Sequence, residues 1–462
     1  MQTPDWPTFK RIPLDPNEVE WEELTHQIQS VLKEELAALG ELPVLDRDAH
    51  AELLPDMPLE DWLRYLISNG FNTAHPGFLA FIPGGGLVTS ALADWFVKTT
   101  NRYGTANFAS PLLAQLEYRV IQTFAAWVGY DADAAGVLTT GGSLANFTAV
   151  VTARRAKLPE NFLDGVLYCS DQTHHSVMKA ANLAGFSARN LRILPTDDQF
   201  RLLTEPLAQQ IVEDREAGLQ PFMIIASAGT TNTGSIDPLP ELADIADEQD
   251  LWFHVDGAYG GAFVITERGA ERLQGMSRAD SITLDPHKGL FLPYGTGCIL
   301  VRDKEALISA HEMRGDYMPD LDRELAHLDP FSLSVELSRE HRGLKMALPL
   351  MLHGVQAFVD ELDEKLDLAA VVHAGLSAVD ELEVLNVPEL STVAFRLRDE
   401  SDEVNKTLMD AVNEGGRVYL SGTVLREKFA LRISILSHRT HAAEIETALA
   451  EVKRCIAELG NR

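Results

Sequence analysis

The chain has 462 residues, 45% of them hydrophobic, with 32 Gly and 22 Pro; this allows one large domain with smaller additions and lies outside the disordered and collagen-like classes. A formal net charge of −30 argues against a nucleic-acid partner, whose phosphates would be repelled, and no stretch approaches the roughly 18 uninterrupted apolar residues of a membrane span. Cys169, Cys298 and Cys455 are too few and too scattered for a disulfide framework or a zinc site, and the first residues lack an apolar leader region, so a cytoplasmic protein without a metal is expected.

Up to about residue 75 the chain reads as helical. Trp21, Leu24, Ile28, Val31, Leu32 and Leu36 recur at three- and four-residue spacing, which predicts an amphipathic helix packing on its own domain or on a second subunit. The same spacing of Leu113, Leu116, Val120 and Phe124 predicts a core helix. From about residue 135 short apolar runs alternate with helix-like segments, with candidate strands at 166–169, 191–194, 222–227, 251–255, 281–284 and 298–301. That alternation predicts an α/β fold, a mostly parallel sheet with helices on both faces. Thr230 and Thr231, Asp256, and His287 with Lys288 follow strand ends, and in such a sheet ligands gather at the carboxyl rim. Beyond residue 345, a helix at 344–368, strands at 382–387, 391–398, 417–420 and 429–435, and helices at 402–413 and 442–459 predict a small α+β domain. The expected organisation is a helical segment over 1–78, a large α/β domain over 79–355 and the small domain over 356–462.

Four segments carry the polar chemistry: TTGGSLAN (139–146), SDQTHHSV (170–177), HVDGAYGG (254–261) and DPHKG (285–289). Gly141, Gly142 and Ser143 before a helix offer free N–H groups to an anion, or make an ordinary cap. Asp256 ends an apolar run, where a carboxylate needs a cationic partner such as a protonated pyridine, or caps the next turn. Lys288 is a solvated surface lysine or, if buried, an amine able to form an imine. His174 and His175 either pair with hydrogen-bonding neighbours or bring one ring flat over an aromatic ligand.

With all four segments on one rim, the chain resembles the group II pyridoxal 5′-phosphate (PLP) decarboxylases, which include the aromatic-L-amino-acid, glutamate, histidine and cysteine-sulfinate enzymes. The likeness takes in HPGFLAFIPGG (75–85), NFASPLLAQLE (107–117), IASAGTTNTGSIDPL (225–239), the lysine segment, SREHRGLKM (338–346) and VLREKFALRISI (424–435). It implies the aspartate-aminotransferase-like fold, PLP fold type I, and a homodimer with its sites at the interface. By the same resemblance, Lys288 carries the cofactor as a Schiff base, with His287 beside it. Asp256 keeps the pyridine nitrogen protonated, His174 stacks on the ring, Ala258 packs its other face, Thr231 lies at its polar edge, and Gly142 and Ser143 hold the phosphate. Phe81, Ile82 and Pro83 match the apolar substrate segment of the aromatic enzymes, and Tyr103, within 101–105, reaches the partner's pocket.

The activity implied is decarboxylation of an L-amino acid, aromatic by preference, to the amine and CO₂. An acidic amino acid or diaminobutyrate is the alternative substrate, and a catalytically silent regulatory homologue the alternative role. Three positions depart from the family pattern. Asp285 stands where asparagine contacts phosphate, and Gly289 replaces a common tryptophan. Phe331 lies near the place of the loop tyrosine that protonates the carbanion, and Tyr317 is the candidate substitute. Phenylalanine at that place implies an oxygen-using aldehyde synthase as a further alternative.

Overall fold

The computed structural model describes residues 12–46, 57–312 and 327–460. A seven-stranded sheet is built from Ala135–Thr139 (β1), Gly165–Ser170 (β2), Leu191–Leu194 (β3), Gln220–Ser227 (β4), Trp252–Gly257 (β5), Ser281–Leu284 (β6) and Gly297–Val301 (β7), in the order β1-β7-β6-β5-β4-β2-β3. Only β7 runs antiparallel to its neighbours. The strands β1, β2, β5, β6 and β7 are buried along their whole length, as near-continuous apolar runs require of a sheet covered on both faces. Alternate residues of β2 enter different cores: Val166 and Tyr168 pack into one, Leu167 and Cys169 into the other.

The longer helices are Glu18–Ala38 (α1), Leu59–Ser68 (α2), Val88–Thr100 (α3), Pro111–Trp127 (α4), Gly142–Lys157 (α5), His175–Leu183 (α6), Thr204–Glu216 (α7), Leu239–Gln249 (α8), Gly343–Ser377 (α9), Asp402–Glu414 (α10) and Ala442–Gly460 (α11). A second sheet, of Leu382–Val384 (β8), Thr392–Leu397 (β9), Ser421–Leu425 (β10) and Lys428–Ser434 (β11), is antiparallel in the order β8-β9-β11-β10. It packs with α9, α10 and α11 around Leu376, Phe395, Val412, Ile433 and Val452.

Several elements differ from the sequence expectation. Strand β1 was not expected, because its Ala135 and Gly136 lack the β-branched bulk that marks a strand. Residues 417–420 form no strand beyond an isolated bridge between Tyr419 and Phe78; the ladder begins at Ser421. Helix α9 runs past 368 to Ser377 and breaks at Gly354, where φ is 72°. Only Val31 of the α1 stripe is buried, while Trp21, Leu32 and Leu36 are exposed on this chain.

Candidate active site

The carboxyl ends of β1, β2, β4, β5 and β6 and the start of β7 surround a cavity of about 420 Å³. Gly142, Ser143, His174, Thr231, Asp256, Ala258, His287 and Lys288 all line it, so the topology brings together the cofactor residues expected from the sequence. Parallel strands leave their carboxyl ends on one side, which is why residues as far apart in the chain as Thr140 and Gly295 share this wall.

The reversal from β6 into antiparallel β7 passes through the short helix Pro286–Gly289, which carries Lys288. Its Nζ lies 3.1 Å from Asp285 Oδ2. The carboxylate that replaces an asparagine is therefore engaged by the lysine, while its Oδ1 is buried without a hydrogen-bond partner. His287 Nδ1 is 2.7 Å from the carbonyl oxygen of Thr296 and must donate to it. Gly289 is explained by space, since a Cβ there would lie 2.6 Å from Ala262 Cβ and no tryptophan would fit.

Helix α5 starts against the cavity with no side-chain cap, preceded by Gly141 at φ 154°. Its first N–H groups and the positive end of its dipole suit a phosphate. A Cβ on Gly142 would lie 2.8 Å from Asp285 Oδ2 and 3.2 Å from Ala258 Cβ, so glycine keeps this approach open.

One turn into α5 stands Asn146, which sequence reasoning passed over. It is buried, and Nδ2 donates to Asp256 Oδ2 at 2.8 Å and to Ser176 Oγ at 3.0 Å. Its Oδ1 accepts from Thr283 Oγ1 at 2.7 Å and faces His254 Nε2 at 3.1 Å. The other Asp256 oxygen accepts from the Ala258 N–H at 3.1 Å. His254 Nδ1 is 2.8 Å from Ser281 Oγ, which also accepts from Trp252 Nε1 at 2.8 Å. Burial pushes His254 down to about 4, so it is neutral at neutral pH. Burial also holds His174 below the ordinary imidazole value, against the opposing pull of Asp256. His254 could have been found from the strand period, because it lies two residues from Asp256 and shares its face of β5.

The substrate segment falls elsewhere. Phe81, at φ 55°, is half exposed and packs against Phe71 and Phe78; Ile82 enters the core and Pro83 is buried, and none of the three lines the rim cavity. The glycines that follow, Gly84, Gly85 and Gly86, instead line a second, apolar cavity of about 600 Å³ with Leu92, Trp95, Leu292 and Pro293. His287 and Tyr294 belong to both cavities and so separate or join them. Tyr103 is exposed, its hydroxyl 3.4 Å from the carbonyl oxygen of Leu337. Phe331 is buried in the short helix Pro330–Ser332, and Tyr317 lies outside the described residues.

A family model described as the pyridoxal-dependent decarboxylase conserved domain matches residues 44–398. The aromatic-L-amino-acid decarboxylase of Bacillus atrophaeus is 37% identical over 412 residues, covering 87% of this chain and 86% of that protein. The crystal structure of Oryza sativa TDC with PLP and tryptamine superposes with a TM-score of 0.89 at 25% identity, over 98% of this chain and 100% of that one. The crystal structure of Rhodiola rosea 4-hydroxyphenylacetaldehyde synthase gives a TM-score of 0.87 at 25% identity, over 96% and 99%.

Proposed function

The chain belongs to the pyridoxal-dependent decarboxylase family, and from that membership we propose that it removes the carboxylate of an aromatic L-amino acid as CO₂, with PLP held in the rim cavity. The observation that carries this is one cavity walled by a lysine amine, a buried carboxylate and an uncapped helix N-terminus. These groups fit the aldehyde, the ring nitrogen and the phosphate of that cofactor respectively. When bound, PLP supplies the electron sink for the pair released as the Cα–carboxylate bond breaks.

This chain's residues do the rest. Lys288 offers the amine that attaches the cofactor, and Asp256 holds a proton at the ring nitrogen. His174 accepts at Nδ1 from Ser176 and keeps Nε2–H to donate towards the substrate. Ala258 leaves room beside the ring, and Thr231 stands at the cavity wall. Orientation selects the reaction, because the bond held perpendicular to the ring plane breaks first. The apolar cavity shared through His287 and Tyr294 suits an aromatic side chain.

Exposed Trp21, Leu66, Ile67, Phe96, Phe108 and Leu112 support a homodimer, since large apolar side chains left in water are what an interface covers. Tyr103 on the same part of the chain suits a residue that reaches the partner's site. No helix among the described residues is long and apolar enough to cross a membrane. The three cysteines, all free and buried, support a cytoplasmic location.

Phe331, near the place of the family's donor tyrosine, together with the likeness to the Rhodiola rosea enzyme, supports the second outcome, aldehyde formed with oxygen. Incubating the PLP-loaded protein with a panel of amino acids, scoring CO₂, amine, aldehyde and peroxide separately, decides between them. Release of CO₂ with amine supports the first, and aldehyde with peroxide the second. No CO₂ from any aromatic amino acid overturns both.

A further inference from the structure

Asn146 touches neither the cavity's amine nor its phosphate end, yet every polar atom of its side chain is used. The direction of each bond follows from one fact: Asp256 offers only acceptors, so the atom facing Oδ2 at 2.8 Å is the amide nitrogen. The second amide hydrogen then goes to Ser176 Oγ, whose own hydrogen is left for His174 Nδ1 at 2.8 Å. On the other side, Oδ1 accepts from Thr283, and from His254 Nε2–H because Ser281 Oγ–H serves Nδ1. A flipped amide would set two acceptors face to face at Asp256 and leave Thr283 and His254 facing hydrogens.

We propose that Asn146 is the positioning residue of this site, fixing the orientation of the Asp256 carboxylate and, through Ser176 Oγ, reinforcing the Nδ1-unprotonated tautomer of His174 that the Ser176 backbone N–H also favours. It does so from the helix whose first turn would hold the phosphate, so one rigid element would register the phosphate end of a bound cofactor, Asp256 and, through Ser176, His174. The inference rests on the assignment of PLP to this cavity.

The test is Asn146→Asp, which keeps size and both acceptances but sets an oxygen against Asp256 Oδ2. Two carboxylates at that distance share one proton. The apparent Kd for PLP, followed by absorbance, is expected to rise about tenfold. The kcat is expected to fall about 100-fold, with KM for the amino acid nearly unchanged. Adding Asp256→Asn restores a donor and an acceptor across the gap, so the double variant regains the melting temperature lost by Asn146→Asp but neither cofactor affinity nor kcat. A merely structural role predicts instead a lowered melting temperature in Asn146→Asp with PLP affinity and kcat near those of the wild type. Ser176→Ala probes the second arm alone: PLP affinity holds, while the acid limb of the kcat/KM profile moves.

Wild-type PLP affinity and kcat within twofold in Asn146→Asp would overturn the proposal. So would an Asn146→Asp that fails to fold together with a Ser176→Ala of unchanged pH profile. Wild-type protein that gains no visible band with PLP would instead remove the cofactor assignment itself.

Discussion

Acid should loosen this protein through His254. Its imidazole is fully buried, and burial lowers it from 6.5 to about 4. The neutral ring has one hydrogen, on Nε2, and accepts at Nδ1 from Ser281. A second proton would force Ser281 Oγ to accept from both His254 and Trp252 and to turn its own hydrogen elsewhere. The folded-state value lies below the unfolded one, so the stabilisation is complete above about 6.5 and drains as pH falls towards 4. At pH 5 the unfolded imidazole is nearly all protonated and the folded one about one-tenth so; the linkage integral from pH 7.5 to 5 is about 2 kcal/mol. His311 and His438, also lowered to about 4, add to the raw pH slope. They cancel when wild type is compared with His254→Gln. Urea midpoints of both cofactor-free proteins at pH 7.5 and 5.0 make the assay. The variant is less stable at pH 7.5, having lost the ring's contacts, and the gap narrows by about 2 kcal/mol at pH 5. Parallel pH dependences would refute the assignment of a neutral, hydrogen-bonded His254.

Lys288→Ala is expected to abolish turnover and the visible band formed with PLP; ordinary activity would exclude the lysine as the attachment point. Gly84→Ala places a Cβ 2.0 Å from the carbonyl oxygen of His287, so it should cost roughly 1–3 kcal/mol and weaken PLP binding by displacing the lysine segment. An unchanged melting temperature and PLP titration would contradict that. Glu361, Glu364 and His441 lie close enough to hold a metal, but Lys365 Nζ sits 3.0 Å and 2.6 Å from the two carboxylates and supplies the cation. Chelator should leave melting and activity unchanged, whereas Lys365→Met should lower stability by about 3–5 kcal/mol through the uncompensated acids. A melting temperature that falls with chelator would reveal a metal.

What the sequence disclosed and what it hid follow from different physics. Asp256 ends an apolar run, and His174 and Lys288 follow within a few residues of strand ends, so their places on the rim were legible before any coordinates. Asn146 was not, because an amide inside a helix is chemically unremarked until its four partners arrive from other elements. The antiparallel course of β7 was equally hidden, since a buried strand carries the same apolar run in either direction. Phe81, Ile82 and Pro83 do not line the rim cavity of this chain: Phe81, at a positive φ, is half exposed, and the glycines that follow face the apolar cavity, a direction that sequence adjacency does not carry.

Gly142 and Asn146 are one turn of a single helix apart, a rise of about 6 Å. That interval is a ruler cut for one reagent, and it cannot be stretched without bending a helix pinned in the sheet's core. The walls of the apolar cavity come from other parts, from α1, α3, the glycine run and the Leu292–Tyr294 stretch. The two cavities share only His287 and Tyr294 among their lining residues, so the apolar one can be reshaped by substitution elsewhere while the rim cavity is left alone.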